Sequence, residues 1–96
     1  MDTAEIVFIK STRDGVDIEY IINDNELENY TIPSDECSEC LCQLMNRLDE
    51  GNDILSMSIK DSGRMIRLEI RNHNILKLME ALYVHKYSKF HHMLHR

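Results

Sequence analysis

Apolar residues recur at every second position in three segments of the chain, a period that is typical of half-buried β-strands. These segments are residues 16–22, 54–60 and 64–71. A fourth segment, residues 4–10, is rich in β-branched and aromatic residues and is apolar on both of its faces. It therefore predicts a strand that is covered on both sides.

Turn-forming residues divide these four segments into two pairs. Asp14-Gly15 lies between the first two segments and Ser62-Gly63 lies between the last two, so the sequence predicts two β-hairpins. Residues 27–31 follow a run of turn formers and could form one further short strand at an edge of the sheet.

Two other segments follow the helical period. Pro33 and Ser34 begin the first helix, in which the Ser34 hydroxyl is placed to accept a hydrogen bond from a free N–H group, and Gly51 ends it. The apolar stripe of this helix consists of Cys37, Cys40, Leu41, Leu44 and Leu48. The second helix begins near Asn74, and its predicted stripe consists of Leu76, Met79, Tyr83, Tyr87, Phe90 and Leu94, widened by Ile75, Leu78 and Leu82.

Together these elements predict an α+β fold in the order ββαββα, with one antiparallel sheet and both helices packed on one of its faces. The extra strand at residues 27–31 would lengthen the sheet at one edge. A chain of 96 residues has the size of one compact core, so we expect residues 1–96 to form a single domain.

The composition argues against disorder, membrane insertion and secretion. Gly occurs 3 times and Pro once, whereas Ile occurs 11 times, so the chain can bury enough apolar surface to fold. No apolar run reaches the roughly 18 residues that a membrane-spanning helix needs. The first residues lack the basic start and apolar stretch of a secretion signal. We therefore expect a cytoplasmic protein that does not contact membranes.

The three cysteines have the spacing Cys37-x-x-Cys40-x-Cys42, which could serve a metal site or a thiol–disulfide cycle. Cys37 and Cys40 fall on the apolar stripe of the first helix, where free cysteine behaves as a small hydrophobic residue. A zinc site would need ligands such as His91 and His95, at a sequence separation far longer than in compact zinc modules. We therefore predict structural cysteines without metal or cofactor, and Cys42 on the polar face.

Charge is distributed unevenly along the chain. Residues 1–62 carry 15 acidic and 4 basic side chains, a net charge of −11, whereas residues 63–96 carry 2 and 7, a net charge of +5. Acidic residues at the end of the first helix are unfavourable for the helix dipole, which indicates a role other than stability. The predicted partner-binding surface consists of Asp24, Glu26, Glu28, Asp49, Glu50 and Asp53.

Basic side chains form a second candidate surface, on the last strand and on one stripe of the second helix. Its members are Arg67, Arg71, His85, Lys89, His92 and Arg96. This surface could contact phosphates or an acidic partner, or respond to pH through its histidines. The alternative is a solvated helix end whose positive charges suit the helix dipole. No zinc-finger motif and no aromatic RNA-binding signature accompanies it.

Motifs for catalysis are missing from the sequence, which has no phosphate-binding Gly-rich loop, no nucleophile-elbow serine and no metalloprotease histidine pair. We therefore expect a protein without enzymatic activity. The leading hypothesis is a small protein-binding regulator, of the inhibitor, immunity-protein or adaptor type, whose acidic surface binds a basic partner. The alternative is a nucleic-acid-binding module that uses Arg64, Arg67, Arg71 and the His-rich C-terminal helix.

The apolar stripe of the second helix continues almost to the end of the sequence, through Tyr87, Phe90 and Leu94. Helix ends normally fray unless they are docked on another surface. The sequence therefore also predicts a homodimer that forms through this helix.

Overall fold

The structure, a computed structural model, describes residues 2–23, 25–51 and 54–94, with side chains up to residue 87 in the last helix. Its elements are β1 (Asp2–Thr12), β2 (Gly15–Ile22), β3 (Glu26–Pro33), α1 (Cys37–Leu48), β4 (Ile54–Asp61), β5 (Arg64–Arg71) and α2 (Asn72–Leu94). A short 3-10 turn, Ser34–Glu36, precedes α1. The α+β class is confirmed, and the optional edge strand exists as β3. None of the described helices is long and apolar enough to cross a membrane.

The strands form one sheet in the order β3-β2-β1-β5-β4. Both predicted hairpins are present, and every neighbouring pair is antiparallel except β1 and β5. Those two strands pair in parallel, from Asp2↔Ile66 to Glu5↔Glu69. The sheet is therefore mixed, and the expectation of antiparallel pairing throughout is wrong at this junction. The reason is topological, because α1 carries the chain from the β3 edge to the opposite edge, and β5 then returns beside β1.

The inner face of the sheet and both helices share one hydrophobic core. The alternating residues of the strands point into it as predicted, among them Val16, Ile18, Tyr20, Ile22, Leu55, Ile59, Ile66, Leu68 and Ile70. From the helices, α1 contributes Cys37 and Leu44, and α2 contributes Ile75, Leu78 and Leu82. In contacts with the sheet, α2 lies along β1, β2 and β5, whereas α1 packs on α2 and on β4.

A β-bulge interrupts β1. The register passes from Ile6↔Tyr20 to Phe8↔Glu19, so Val7 is the additional residue. Val7 and Phe8 are about half exposed, at 48% and 53%. The expectation that this strand is covered on both faces is therefore wrong, because the described helices lie on one side of the sheet only.

β1 pairs with β5 only as far as Glu5, and beyond that residue side chains of α2 contact the backbone of β1. The side chain of Asn74 donates to the carbonyl oxygen of Ile6 at 3.0 Å, and Nδ1 of His85 donates to that of Thr12 at 2.9 Å. Eleven helical residues span about 17 Å and six strand residues about 20 Å, so the two contacts fit a helix that runs along β1.

This placement corrects the predicted face of α2. Among the described side chains of α2, Ile75, Leu78, Leu82 and His85 are buried, whereas Leu76, Tyr83 and Tyr87 are 63%, 62% and 58% exposed. Met79 is half-buried against the core. Most of the described central stripe therefore faces outward, the residues predicted to widen it are the ones that the core buries, and the polar contacts of Asn74 and His85 hold the helix in this orientation. The side chains of Phe90 and Leu94 lie outside the described residues. The homodimer through α2 stays a prediction.

The junction of β3 with α1 also differs from the expectation. No side-chain hydrogen bond caps the 3-10 turn or α1. The Ser34 hydroxyl lies instead 2.8 Å from Nε2 of His85, and the Ser34 amide donates to the carbonyl oxygen of Asp14 at 3.0 Å. At Gly15, a Cβ atom would lie 1.9 Å from the carbonyl oxygen of Ile32, so only glycine permits this approach of β2 to β3.

Candidate binding groove

A groove is formed by α1 together with both edge strands of the sheet. It has a volume of about 200 Å³ and is lined by Tyr30, Ile32, Glu36, Glu39, Cys40, Gln43, Met57, Ser58 and Ile59. We call it the acidic groove. Because β3 and β4 line the same groove, the sheet must curve so that its two edges approach each other. A hydrogen bond of 2.5 Å from the Tyr20 hydroxyl on β2 to Asp61 at the end of β4 is consistent with this curvature.

The floor of the acidic groove is apolar. Ile32 and Ile59 are buried, at 4% and 5% exposure, and belong to the core. Above them, Sγ of the half-buried Cys40 lies 3.6 Å from Sδ of Met57, which brings α1 against β4. Tyr30 forms the β3 side and is also half-buried. A side chain entering the groove would therefore meet an aromatic ring and a polarizable sulfur.

Carboxylates form the rim. Glu36 and Glu39 are exposed, and among the described residues neither has a basic side chain within 4.0 Å. Gln43 lies one turn further along α1, and its amide donates weakly to Glu39 at 3.5 Å. The rim therefore keeps its negative charge available to a ligand.

The titration of nearby groups is consistent with this negative potential. Burial raises the pKa of Tyr30, and the carboxylates of Glu36 and Asp61 raise it further. Burial, with smaller contributions from Cys37, Glu36 and Glu39, raises the pKa of Cys40 to about 11. Cys40 is therefore a neutral thiol near pH 7, which makes it a poor nucleophile and a suitable part of an apolar floor.

The predicted acidic surface is divided between two ends of β4. Glu26 and Glu28 are exposed on β3, and Glu26 lies 3.9 Å from Arg64. Arg64 is the first residue of β5 and lies opposite Asp61, the last residue of β4, in the β4–β5 ladder. Asp49 and Glu50 are exposed after α1, whose Arg47 contacts Ser56 near the start of β4. Ser56 and Asp61 are five strand residues apart, about 16 Å. Asp24 and Asp53 lie outside the described residues.

The described residues of the predicted basic surface do not form one continuous surface either. Arg64 pairs with Asp2 at 2.8 Å and Arg71 pairs with Glu5 at 3.1 Å, so folding partly neutralises the two charged halves of the sequence. Arg67 is exposed on the outer face of β5. His85 was expected on an exposed stripe but is only 5% exposed, because it is fixed between Thr12 and Ser34. Lys89 and His92 have no described side chains, and Arg96 lies outside the described residues.

Ser34 and His85 have the hydrogen bond of a nucleophile and its base, but their surroundings indicate a structural role. Because a carbonyl oxygen only accepts, Nδ1 of His85 carries the proton shared with Thr12, and Nε2 is hydrogen-bonded to the Ser34 hydroxyl. Neither side chain lines the acidic groove. The pair joins α2 to the start of α1 and to the β1–β2 turn.

None of the three cysteines forms a disulfide bond, and their exposure follows the predicted helix face: Cys37 is buried, Cys40 is half-buried and Cys42 is exposed. Within the described part of the chain, no group of three or more His, Cys, Asp or Glu side chains is arranged to hold a metal ion.

Sequence reasoning missed the groove residues Tyr30, Glu36, Glu39 and Met57. One signal was present in the sequence. Glu36, Glu39 and Gln43 repeat at i, i+3 and i+7, which is a polar stripe directly beside the apolar stripe of α1.

Comparison of the chain with protein-family models, with curated proteins and with solved structures finds no match.

Proposed function

We propose that this protein is a small, non-enzymatic regulator that binds a basic partner protein through the acidic groove and the acidic residues beside it. The observation that carries the proposal is the combination of an apolar floor with the exposed carboxylates of Glu36 and Glu39. Apolar contact supplies affinity, and charge complementarity supplies association rate and specificity. Three cysteines without a disulfide bond support a cytoplasmic location, since reducing compartments preserve thiols.

The nucleic-acid alternative has less support. Two of its three arginines, Arg64 and Arg71, already pair with carboxylates, and only Arg67 of that set has no described ion pair. A phosphate ligand would have to displace these contacts and approach a protein of net charge −6.

The test measures binding of a fluorescent peptide in which lysine alternates with threonine, by anisotropy over a range of salt concentrations. We expect binding that weakens with salt, and a loss of about threefold to tenfold for Glu36→Gln and for Glu39→Gln. Glu80→Gln is the matched control, because it removes one carboxylate from α2 outside the acidic groove. Asp49→Asn measures how far the binding surface extends past α1.

Failure of the peptide to bind would overturn the proposal, and so would either of two further results. One is a peptide affinity that Glu36→Gln and Glu39→Gln leave unchanged. The other is tight binding of generic single-stranded RNA or duplex DNA that Arg67→Gln abolishes, which would favour the nucleic-acid alternative.

A further inference from the structure

The edge of β4 beside the acidic groove points to a specific mode of binding. Resting on the function proposed above, we propose that the partner contributes an extended basic segment, which joins the sheet as an additional strand along β4, paired with Ser58 and Lys60. Strand addition of this kind obtains affinity from main-chain hydrogen bonds and specificity from alternate side chains.

The β4–β5 turn determines which backbone groups of β4 are open. Ser62 and Gly63 both have positive φ values, 53° and 78°, and connect the directly paired Asp61 and Arg64. In a two-residue hairpin of this type, the residues that flank the turn form a hydrogen-bonded pair, and hydrogen-bonded residues alternate from there. The N–H and C=O groups of Ser56, Ser58 and Lys60 therefore point away from β5.

A contact within the chain supports this assignment and indicates the chemistry of the ligand. Nη1 of Arg47 donates to the carbonyl oxygen of Ser56 at 2.6 Å, so that carbonyl group does face away from β5. The same contact shows a guanidinium bound at the strand edge. The backbone groups of Ser58 and Lys60 continue the edge, and Ser58 itself lines the acidic groove.

Side-chain alternation then matches the charges of the site. An added strand next to β4 would direct every second side chain to the inner face, where Met57 and Ile59 point and where Glu36 and Glu39 form the rim. The other side chains would lie on the outer face beside Lys60, which disfavours a cation there. The favoured segment therefore has Lys or Arg at alternate positions, separated by small polar residues.

The peptide with alternating lysine and threonine tests this mode without changing the protein. Two versions carry N-methyl groups on alternate residues, one version on the even positions and the other on the odd positions. An added strand uses only one of these two sets of N–H groups toward β4. We expect one version to bind about tenfold more weakly than the unmethylated peptide and the other to bind nearly as well.

Amide hydrogen exchange provides the measurement on the protein. On binding the unmethylated peptide, the amides of Ser58 and Lys60 should exchange more slowly, whereas the amide of Asn29 on the opposite edge strand should not change. Equal affinities for both methylated versions, or unchanged exchange at Ser58 and Lys60 in the bound state, would overturn strand addition and leave the proposed function standing. Failure of the unmethylated peptide to bind at all would overturn both.

Discussion

The two helices differ in how their apolar residues are distributed, and only one of them is oriented by that distribution. In α1, Cys37 and Leu44 face the core and Cys42 faces solvent, so one side is apolar and the other polar. In α2, Leu78 and Leu82 are fully buried while Leu76 and Tyr83 are more than 60% exposed. Apolar residues thus surround α2, and hydrophobicity alone gives it no unique face.

Polar contacts select the face that α2 buries. Asn74 and His85 lie on the same side as Leu78 and Leu82, and each donates to a carbonyl oxygen of β1. Turning Leu76 and Tyr83 inward would remove both hydrogen bonds and leave the buried backbone acceptors without partners, which costs about 1–3 kcal/mol for each group. An apolar helix can pack in several orientations, whereas these two hydrogen bonds form in only one of them.

The largest expected effect comes from two identical substitutions on opposite sides of α2. Leu82→Ala should lower the free energy of unfolding by about 2–5 kcal/mol, because Leu82 is 0% exposed and its removal leaves a cavity. Leu76→Ala should change it by about 0.5 kcal/mol or less, because Leu76 is 63% exposed. Urea denaturation followed by circular dichroism measures both values.

The order of these two values tests the orientation of α2. Equal losses for Leu82→Ala and Leu76→Ala would mean that the outer side of α2 is covered in solution, as the predicted homodimer requires. Repeating the measurement at several protein concentrations separates that case from a wrong orientation, since only a dimer gives a concentration-dependent stability.

The next effect tests the polar contacts themselves. Asn74→Ala should destabilise the fold by about 1–3 kcal/mol, because it leaves the carbonyl oxygen of Ile6 without its donor. The adjacent His73→Ala is the control, since His73 is exposed and belongs to the same helical turn. His85→Ala should match or exceed the loss for Asn74→Ala, because His85 contacts both Thr12 and Ser34. If Asn74→Ala and His73→Ala cost the same, the polar contacts do not orient α2.

The same contrast explains how much of the fold could be predicted from the sequence. The strands from 16–22, 54–60 and 64–71 were predictable because alternation leaves one apolar face, and a sheet that is covered on one side must bury that face. The face of α1 was predictable for the same reason, but the expectation that Leu48 is buried was wrong, because Leu48 is exposed at the end of the helix. The face of α2 was not, because it depends on Asn74 and His85 reaching β1 carbonyl groups, which lie on either side of the bulge at Val7.

The candidate site was less predictable than the fold. The charge count drew attention to acidic residues, but the groove depends on the curvature that brings Tyr30 on β3 near Met57 on β4, and the sequence does not specify that curvature. The predicted residues Glu26 and Glu28 are separated from Asp49 and Glu50 along β4. Residues far apart in sequence, such as Glu36 and Ser58, meet only after folding.

The smallest expected effect concerns the two sides of α1 and appears at alkaline pH. The pKa of Cys40 is about 11 in the folded chain, against 9.0 for an ordinary cysteine, chiefly because of burial. Between these two values the unfolded chain has lost the Cys40 proton while the folded chain keeps it, so the stability that is present below pH 9 declines as pH rises toward 11. Burial also raises the pKa of Tyr20 and of Tyr30, which adds a loss of the same sign at still higher pH.

Thermal denaturation from pH 8 to pH 11 should therefore show a falling Tm, and Cys40→Ala should reduce the slope of Tm against pH between pH 9 and pH 10, where the titration of cysteine dominates. Cys42→Ala is the matched control, because Cys42 is exposed on the other side of the same helix and should react first with a thiol reagent in the folded protein. A slope that Cys40→Ala leaves unchanged, or faster labelling of Cys40 than of Cys42, would show that α1 presents its opposite side to the core.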